Sequence, residues 1–437
     1  MSHMNKLFGQ TSRRDFVKGS GLVVGGGLLA GGLPSSVSAY AAGSEEIKIA
    51  LVGCGGRGTG AAAQAMSTGK GVKLVAMADA FEDRLQESLK ALNVNYKDQV
   101  DVPKKRQFVG FDGYKQAIEL ADVILFATPP AFRPIHLRAA VEAGKHTFVE
   151  KPVAVDAVGV RHVVESSKMA EEKGLSIVAG TIYRRQSNFM EAIERIHKGE
   201  LGQIVGGHEY YMTGPIWVKQ RKPGMSDMEY QMRNWYYYTW LSGDHIVEQF
   251  VHNIDAYNWI MGSHPVKALA TGGRIQRTGE EHGHIYDHFS VEYEYPNEVK
   301  IQASCRQFLN TKRHVINRVV CEDGVAWINP QESWFQDHKN KVTQRFEKSD
   351  AYNPFVKEHE DLFNSIREKK PINEGVQIAH SSMTAILGRE SAYTGKELTW
   401  DEVYNSDLDL VPKKFEWGDM DFAQVPIPGV TELARAL

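Results

Sequence analysis

Hydrophobic residues along this chain fall into two textures. Between residues 47 and 185 they form short unbroken runs: IKIALVG (47–53), KLVAMAD (73–79), ADVILFATPP (121–130), KHTFVEKP (145–152) and SIVAGTIYRR (176–185). Segments of helical spacing separate them, such as GAAAQAM after Gly58 and the stretch His136 to Ala143. A strand covered on both faces has no polar side to show, so apolar runs alternating with helices predict an α/β fold with a parallel, doubly wound sheet. From about residue 190 the runs give way to alternation. VGGHEYYMTG, VKALATGGRIQR, HFSVEYEYP, EVKIQASCRQF and NRVVCEDGVAWIN read as half-buried strands with short turns. They predict an α+β unit with a large open, mostly antiparallel sheet. Residues 355–394 return to helical spacing, and 408–437 read as an extended arm. The expected division is 46–182, 183–400 and an arm at 401–437.

The first 41 residues carry a different signal. SRRDFVK (12–18) places Arg13 and Arg14 ahead of GLVVGGGLLAGGL (21–33) and the small-residue stretch SSVSAYAA. A basic head, a short apolar middle and an Ala-x-Ala-like end describe an export signal, and the arginine pair resembles the twin-arginine (Tat) type. Thirteen glycine-rich residues fall short of the roughly 20 apolar residues that span a bilayer. A periplasmic protein with no membrane contact after cleavage is expected. The full chain has 437 residues and a formal charge of −3, with no strongly basic stretch, which argues against a nucleic-acid binder. Three cysteines are too few for a disulfide framework and read as buried thiols.

The chemistry begins at GCGGRG (53–58), which fits G-x-G-x-x-G at Gly53, Gly55 and Gly58 after a strand and before a helix. Such a turn brings backbone N–H groups and a helix N-terminus to a pyrophosphate, making the first unit a Rossmann dinucleotide domain. Gly56 and Arg57 share the turn. Asp79 ends the second strand twenty-one residues after Gly58, where a carboxylate accepts from ribose hydroxyls. No arginine immediately follows it, which favours NAD over NADP. The switch-point rule adds Thr128, Pro129, Glu150, Lys151 and Tyr183 to the ligand side, and His136, at the head of the next helical stretch, is counted with the cofactor residues.

A strand running into Glu150-Lys151-Pro152, after this glycine fingerprint and a Thr-Pro-Pro turn, resembles the glucose–fructose oxidoreductase / inositol dehydrogenase (Gfo/Idh/MocA) family. The resemblance spans roughly residues 46–400. It implies that Lys151 contacts a substrate hydroxyl beside the nicotinamide and supports proton transfer. It also implies an open sheet whose free face makes a homodimer or homotetramer.

The segment 241–259, LSGDHIVEQFVHNIDAYNW, sets Ile246, Val247, Phe250, Val251 and Ile254 on one helical arc and His245, Glu248, His252 and Asp255 on the other. Glu248 and His252 stand four apart, so the carboxylate is expected to orient the imidazole. The family's usual pattern has Asp where this chain has Glu248. On this reading Lys151, His252, Glu248 and Tyr183 are catalytic, and Arg184, Trp235, Trp240, Asp244, His245 and Asp255 contact substrate. The same spacing suits a solvated face, or a zinc site of His245, Glu248 and His252; the resemblance favours proton handling and no metal. RNWYYYTW (233–240) offers aromatic faces to a sugar ring, with core packing as the plainer use. His282, His284 and His288 read as a loop ahead of a strand.

Together these features lead to a periplasmic, NAD-dependent oxidoreductase acting on a sugar or glycoside hydroxyl, with C3 expected and the nicotinamide retained because free NAD is scarce outside the cytoplasm. The alternative is a glycosidase working through transient C3 oxidation. One such branch carries a His-Gly-x-Gly-Pro segment, which does not occur here.

Overall fold

The computed structural model describes residues 46–435, so the export-signal reading lies outside the described residues. Six strands build the first sheet: β1 (Ile47–Val52), β2 (Val72–Asp79), β3 (Gln107–Val109), β4 (Val123–Phe126), β5 (His146–Val149) and β6 (Ile177–Ala179). All pair in parallel, in the order β3-β2-β1-β4-β5-β6. The order reverses at β1, which pairs with β2 on one side and β4 on the other. The loops leaving those strands therefore diverge and open a crevice. Burial on both faces explains the unbroken apolar runs. Ala50, Val52, Ile124 and Phe126 pack with Leu137, Val141, Val160 and Val163 from helices Arg133–Glu142 and Ala157–Glu172.

The opposite face holds a surprise. Ile49, Leu51, Val123 and Leu125 share a core with helix Gly56–Ser67 and also with Leu362, Phe363 and Ile366 of helix Pro354–Arg367. The chain thus returns from the second unit to finish the core of the first, and the division at 182–183 does not cut the packing cleanly. β3 was not expected: none of its three residues is buried, and they are too few to show a period.

The second sheet holds β7 (Ile204–Thr213), β8 (Lys267–Gly273), β9 (His288–Glu294), β10 (Lys300–Gln307), β11 (His314–Cys321), β12 (Gly324–Ile328), β13 (Glu332–Gln336), β14 (Val342–Glu347) and β15 (Leu398–Thr399). Their order is β14-β13-β12-β11-β7-β10-β9-β8-β15. It is mixed, because β7 and β10 run parallel, while the remaining pairs are antiparallel. β14, at one edge, and its neighbour β13 were not anticipated. Val291, Tyr293, Ile301 and Ala303 face helices Val251–Met261 and Gly375–Thr394, packing with Ile254, Tyr257 and Ile386. The other face carries the row His208, Arg318, Trp327 and Trp334, with the two indoles 5.7 Å apart. All three cysteines are buried and free.

The expected single helix over 241–259 is two pieces, His245–Glu248 and Val251–Met261. The break is a turn at Gln249 (φ −109°, ψ −49°) and Phe250, and a second irregularity precedes the first piece. Asp244 has φ 74° and ψ 164°, a conformation costly for any residue with a side chain.

Candidate active site

A cleft of about 510 Å³ opens at the switch point. Gly53, Gly55, Gly56, Arg57, Asp79, Thr128, Pro129 and His136 line it, so most of the expected cofactor residues meet there; Gly58, Glu150 and Lys151 are not among the lining residues. Gly53 has φ +93°, and a Cβ there would stand 2.5 Å from the Thr128 nitrogen. A Cβ at Gly58 would stand 1.9 Å from the Gly53 carbonyl oxygen, which is why the helix can lie directly against the turn. At Gly55 and Gly56 a Cβ would meet nothing, so bare backbone borders open space at a helix N-terminus. This is the cradle a pyrophosphate needs.

Asp79 closes one end. Its Oδ2 accepts from the Cys54 N–H (2.6 Å) and its Oδ1 from the Phe81 N–H (2.9 Å). Burial pushes its carboxyl above the usual range. Each oxygen keeps a second lone pair, so the carboxylate can still accept from ribose hydroxyls. These residues therefore fit NAD.

Two of these lining residues, Arg57 and His136, also brace the cleft through neighbours. Arg57 pairs with Glu150 at 2.7 Å and lies over the Phe355 ring. His136 meets Thr128 Oγ1 through Nδ1 at 3.3 Å; burial and the nearby Arg133 push it down to about 3, so it is neutral. Arg133 itself was missed from sequence. Its Nε donates to the Thr128 carbonyl (2.9 Å) and its Nη1 to the Pro152 carbonyl, tying together the turns after β4 and β5. Burial pushes this guanidinium down to about 10.

Lys151 follows β5 with a cis peptide to Pro152. It is buried, and its Nζ donates to the Glu248 carbonyl oxygen and lies 3.3 Å from Glu248 Oε1. Glu248 Oε2 accepts from Gln249 Nε2 (2.7 Å), whose Oε1 accepts from the Tyr211 hydroxyl (2.9 Å). Glu248 therefore braces Lys151, not His252: the break in the helix removes the expected i,i+4 alignment. His252 packs its ring 5.4 Å from Tyr183, which is stacked on Phe189. Burial and the Lys151 ammonium hold the imidazole well below its usual range, leaving it neutral and able to accept a proton. Burial pushes the Tyr183 phenol up, so it stays protonated.

Five expected substrate contacts are corrected. Asp244 is fully enclosed: its carboxylate accepts from the N–H of His245 (2.5 Å), the N–H of Tyr286 (2.8 Å) and the Tyr393 hydroxyl, holding the strained turn. His245, also enclosed, meets Asp244 Oδ1 at 3.1 Å and lies 5.2 Å from the Phe289 ring. It thus faces away from Glu248 and His252, and the zinc alternative loses its third ligand. Trp240 is buried and donates to Gln231 Oε1 (2.7 Å). Asp255 is saturated by Arg184 Nε (2.9 Å), Arg184 Nη2 (3.0 Å) and the Ser381 hydroxyl (2.8 Å). Arg184 is committed to the same pair and lies over Trp259. Trp235 does line the cleft, beside Trp217, which was not singled out from sequence. Of the three loop histidines, His284 is buried and accepts from the Thr239 N–H, while His288 pairs with Asp287.

Comparison with known proteins bears on this geometry. The model "Oxidoreductase family, NAD-binding Rossmann fold" matches residues 47–181, and "GFO/IDH/MocA C-terminal domain" matches 189–327. Inositol 2-dehydrogenase of Salmonella typhimurium is 26% identical over 218 residues, covering 49% of this chain and 54% of that protein. A glycosyl hydrolase family 109 protein of Streptomyces coelicolor is 27% identical over 173 residues, 38% of this chain and 34% of that one. The chain spans about half the length of the curated relatives it matches. The aldose–aldose oxidoreductase of Caulobacter crescentus shares the fold with a TM-score of 0.64 and 18% identity, covering 81% of this chain and 99% of that one.

Proposed function

Because this chain belongs to the GFO/IDH/MocA family of NAD-binding oxidoreductases, we propose that it oxidises a secondary hydroxyl of a sugar or glycoside, at C3, and keeps its nicotinamide through the cycle. The observation that carries this reading is the buried cluster of Lys151, Glu248 and His252 at the carboxyl end of β5. When bound, the nicotinamide supplies a hydride-accepting carbon. Lys151 has three ammonium donors, and Glu248 takes two of them through its carbonyl and carboxylate. The third is left for the substrate hydroxyl oxygen, where the charge steadies a developing alkoxide. Neutral His252 takes the hydroxyl proton as the carbinol C–H bond gives up its hydride. Tyr183 remains a proton donor beside that imidazole. Trp235 and Trp217 offer ring faces to a sugar's C–H surface.

The remaining proposals are export through the twin-arginine signal at Arg13 and Arg14 to the periplasm, and a homodimer or homotetramer joined through the open face of the second sheet. Retention of the nicotinamide follows from residence where free NAD is scarce.

The family 109 relative supports a second reading, a glycosidase that passes through transient C3 oxidation. Nicotinamide absorbance of the purified protein, without added cofactor, separates the two while α- and β-glycosides are titrated in. Reduction of endogenous nucleotide with recovery of a keto-sugar is the expected result. Steady aglycone release with no net spectral change would transfer the assignment to the glycosidase, and neither response would overturn both.

A further inference from the structure

Beyond both matched family regions, residues 405–435 leave the last helix (Trp400–Tyr404) and run as an irregular arm along the mouth of the cleft. It is fastened at each end. Before the mouth, the Leu410 N–H donates to Asp156 Oδ2 (2.8 Å), and the same side chain caps helix Ala157–Glu172. Past it, the Gly418 carbonyl accepts from the Met228 N–H (3.1 Å), and the Met420 N–H donates to Asp227 Oδ2 (3.3 Å). Farther on, Arg435 pairs with Glu390 at 2.6 Å.

Between those fastenings two aromatic side chains reach the cleft wall. Phe415 lies 4.7 Å from Phe132 and 5.8 Å from Phe111, ring centre to ring centre. Trp417 lies 4.5 Å from Phe111 and 5.2 Å from Phe81. Phe81, Phe111 and Phe132 line the cleft at its Asp79 side; Phe415 and Trp417 do not, and so act through them. Phe81 also carries the Arg233 guanidinium 4.1 Å from its ring centre, and Arg233 reaches Asp83 at 3.0 Å. That ion pair joins the unit holding β1–β6 to the segment holding Trp217, Lys219 and Trp235, which line the far wall.

We infer that the arm is a cofactor-retaining strap: Phe415 and Trp417 are positioning residues that hold the aromatic wall closed and set how fast a bound dinucleotide leaves. The inference rests on the reading that NAD occupies this cleft. Phe81 and Phe111 line the same cleft as Gly55 and Asp79, so a dinucleotide held by those two would lie against this aromatic wall. The strap is suited to swing. Trp417 is 46% exposed and Lys413, Lys414 and Glu416 are exposed, so few contacts are lost on local opening compared with global unfolding. An intact strap makes exchange slow, which a recycled cofactor requires.

The test is release of bound NADH from the full-length purified protein, followed by fluorescence after mixing with excess NAD⁺. The F415A, W417A and double variants are compared with W417F and with V430S, a control at an exposed arm position away from the mouth. The strap predicts that the double variant releases NADH faster by about tenfold or more, each single variant by less, with W417F and V430S near wild type. Unfolding midpoints confirm that the variants compared are folded, and the single variants carry the test if the double does not fold. Wild-type release rates throughout, or equal acceleration by V430S, would overturn it. The measurement needs no sugar. Glycoside oxidation with unchanged release in the variants sinks the strap alone; faster release without any glycoside turnover sinks the substrate reading alone. A wild-type protein that does not hold NADH sinks both.

Discussion

Gly53–Gly58 and Asp244–His252 are both turns that feed a helix beside the cleft, and they are held in opposite ways. The first is held by its own backbone. Missing side chains let the helix lie against the turn, and the nearest obstacles are the neighbouring Thr128 nitrogen and Gly53 carbonyl. The second is held by side chains and backbone from distant elements. Asp244 keeps a left-handed φ because the N–H of Tyr286, the Tyr393 hydroxyl and the N–H of His245 all converge on its carboxylate. A glycine turn is a local solution that travels with its sequence. A carboxylate-held turn exists only once the second sheet and helix Gly375–Thr394 have docked. Nucleotide binding is therefore written locally, and the proton chemistry globally.

Lys151→Met should break the contrast most sharply, with hydride transfer falling about 10³-fold, on the order of 4 kcal/mol, while NADH binding persists. Single-turnover reduction of the bound nucleotide measures it; a normal rate would remove the chemistry from this cluster. Gly58→Ala attacks the other turn. Its Cβ cannot stand 1.9 Å from a carbonyl, so NADH affinity should drop by about 100-fold, roughly 3 kcal/mol, in a fluorescence titration. Gly55→Ala separates packing from ligand approach: with open space around the Cβ it should leave the unfolding midpoint unchanged and still weaken binding.

Asp244→Ala should lower unfolding free energy by about 2–3 kcal/mol in denaturant titration, because three donors lose a buried acceptor. Asp244→Gly relieves the left-handed φ and should recover roughly 1 kcal/mol of that, not all. The most gradual effect lies in pH. His359 packs on Phe148 with neither ring nitrogen hydrogen-bonded, and burial pushes it down to about 3. Below about pH 6.5 the unfolded chain takes up a proton at this histidine that the folded chain refuses, so this group's contribution falls as pH falls toward 3. His359→Phe removes that loss. Its stability advantage over wild type should grow by up to about 1.4 kcal/mol per pH unit between pH 6 and 4, read from paired melting curves.

What was legible in the sequence follows the same contrast. The glycine turn, Asp79, the β4 and β5 ends and Lys151 all sit on strands whose apolar runs announce them. His252 was found, but its partner was misassigned, because helical spacing cannot register the turn at Gln249 and Phe250. Trp240, His245 and Asp255 carry polar atoms that periodicity turns toward a ligand; the fold instead satisfies them internally through Gln231, Asp244 and Arg184. Arg133 gave no signal, since its two carbonyl partners lie on separate turns. β3, β13 and β14 escaped because they are short or largely unburied, and the parallel pairing of β7 with β10 depends on a register no single strand encodes.

Helix Pro354–Arg367 has a consequence for the order of synthesis. The first sheet is complete when Ala179 emerges, yet Leu362, Phe363 and Ile366, which cover one of its faces, are still to be made. At about 5–20 residues per second the ribosome needs on the order of 10–40 s to supply them. Through that interval the nascent dinucleotide unit carries an uncovered apolar stripe, a natural docking place for a chaperone, and the last element needed to retire it arrives only after eight of the nine strands of the second sheet.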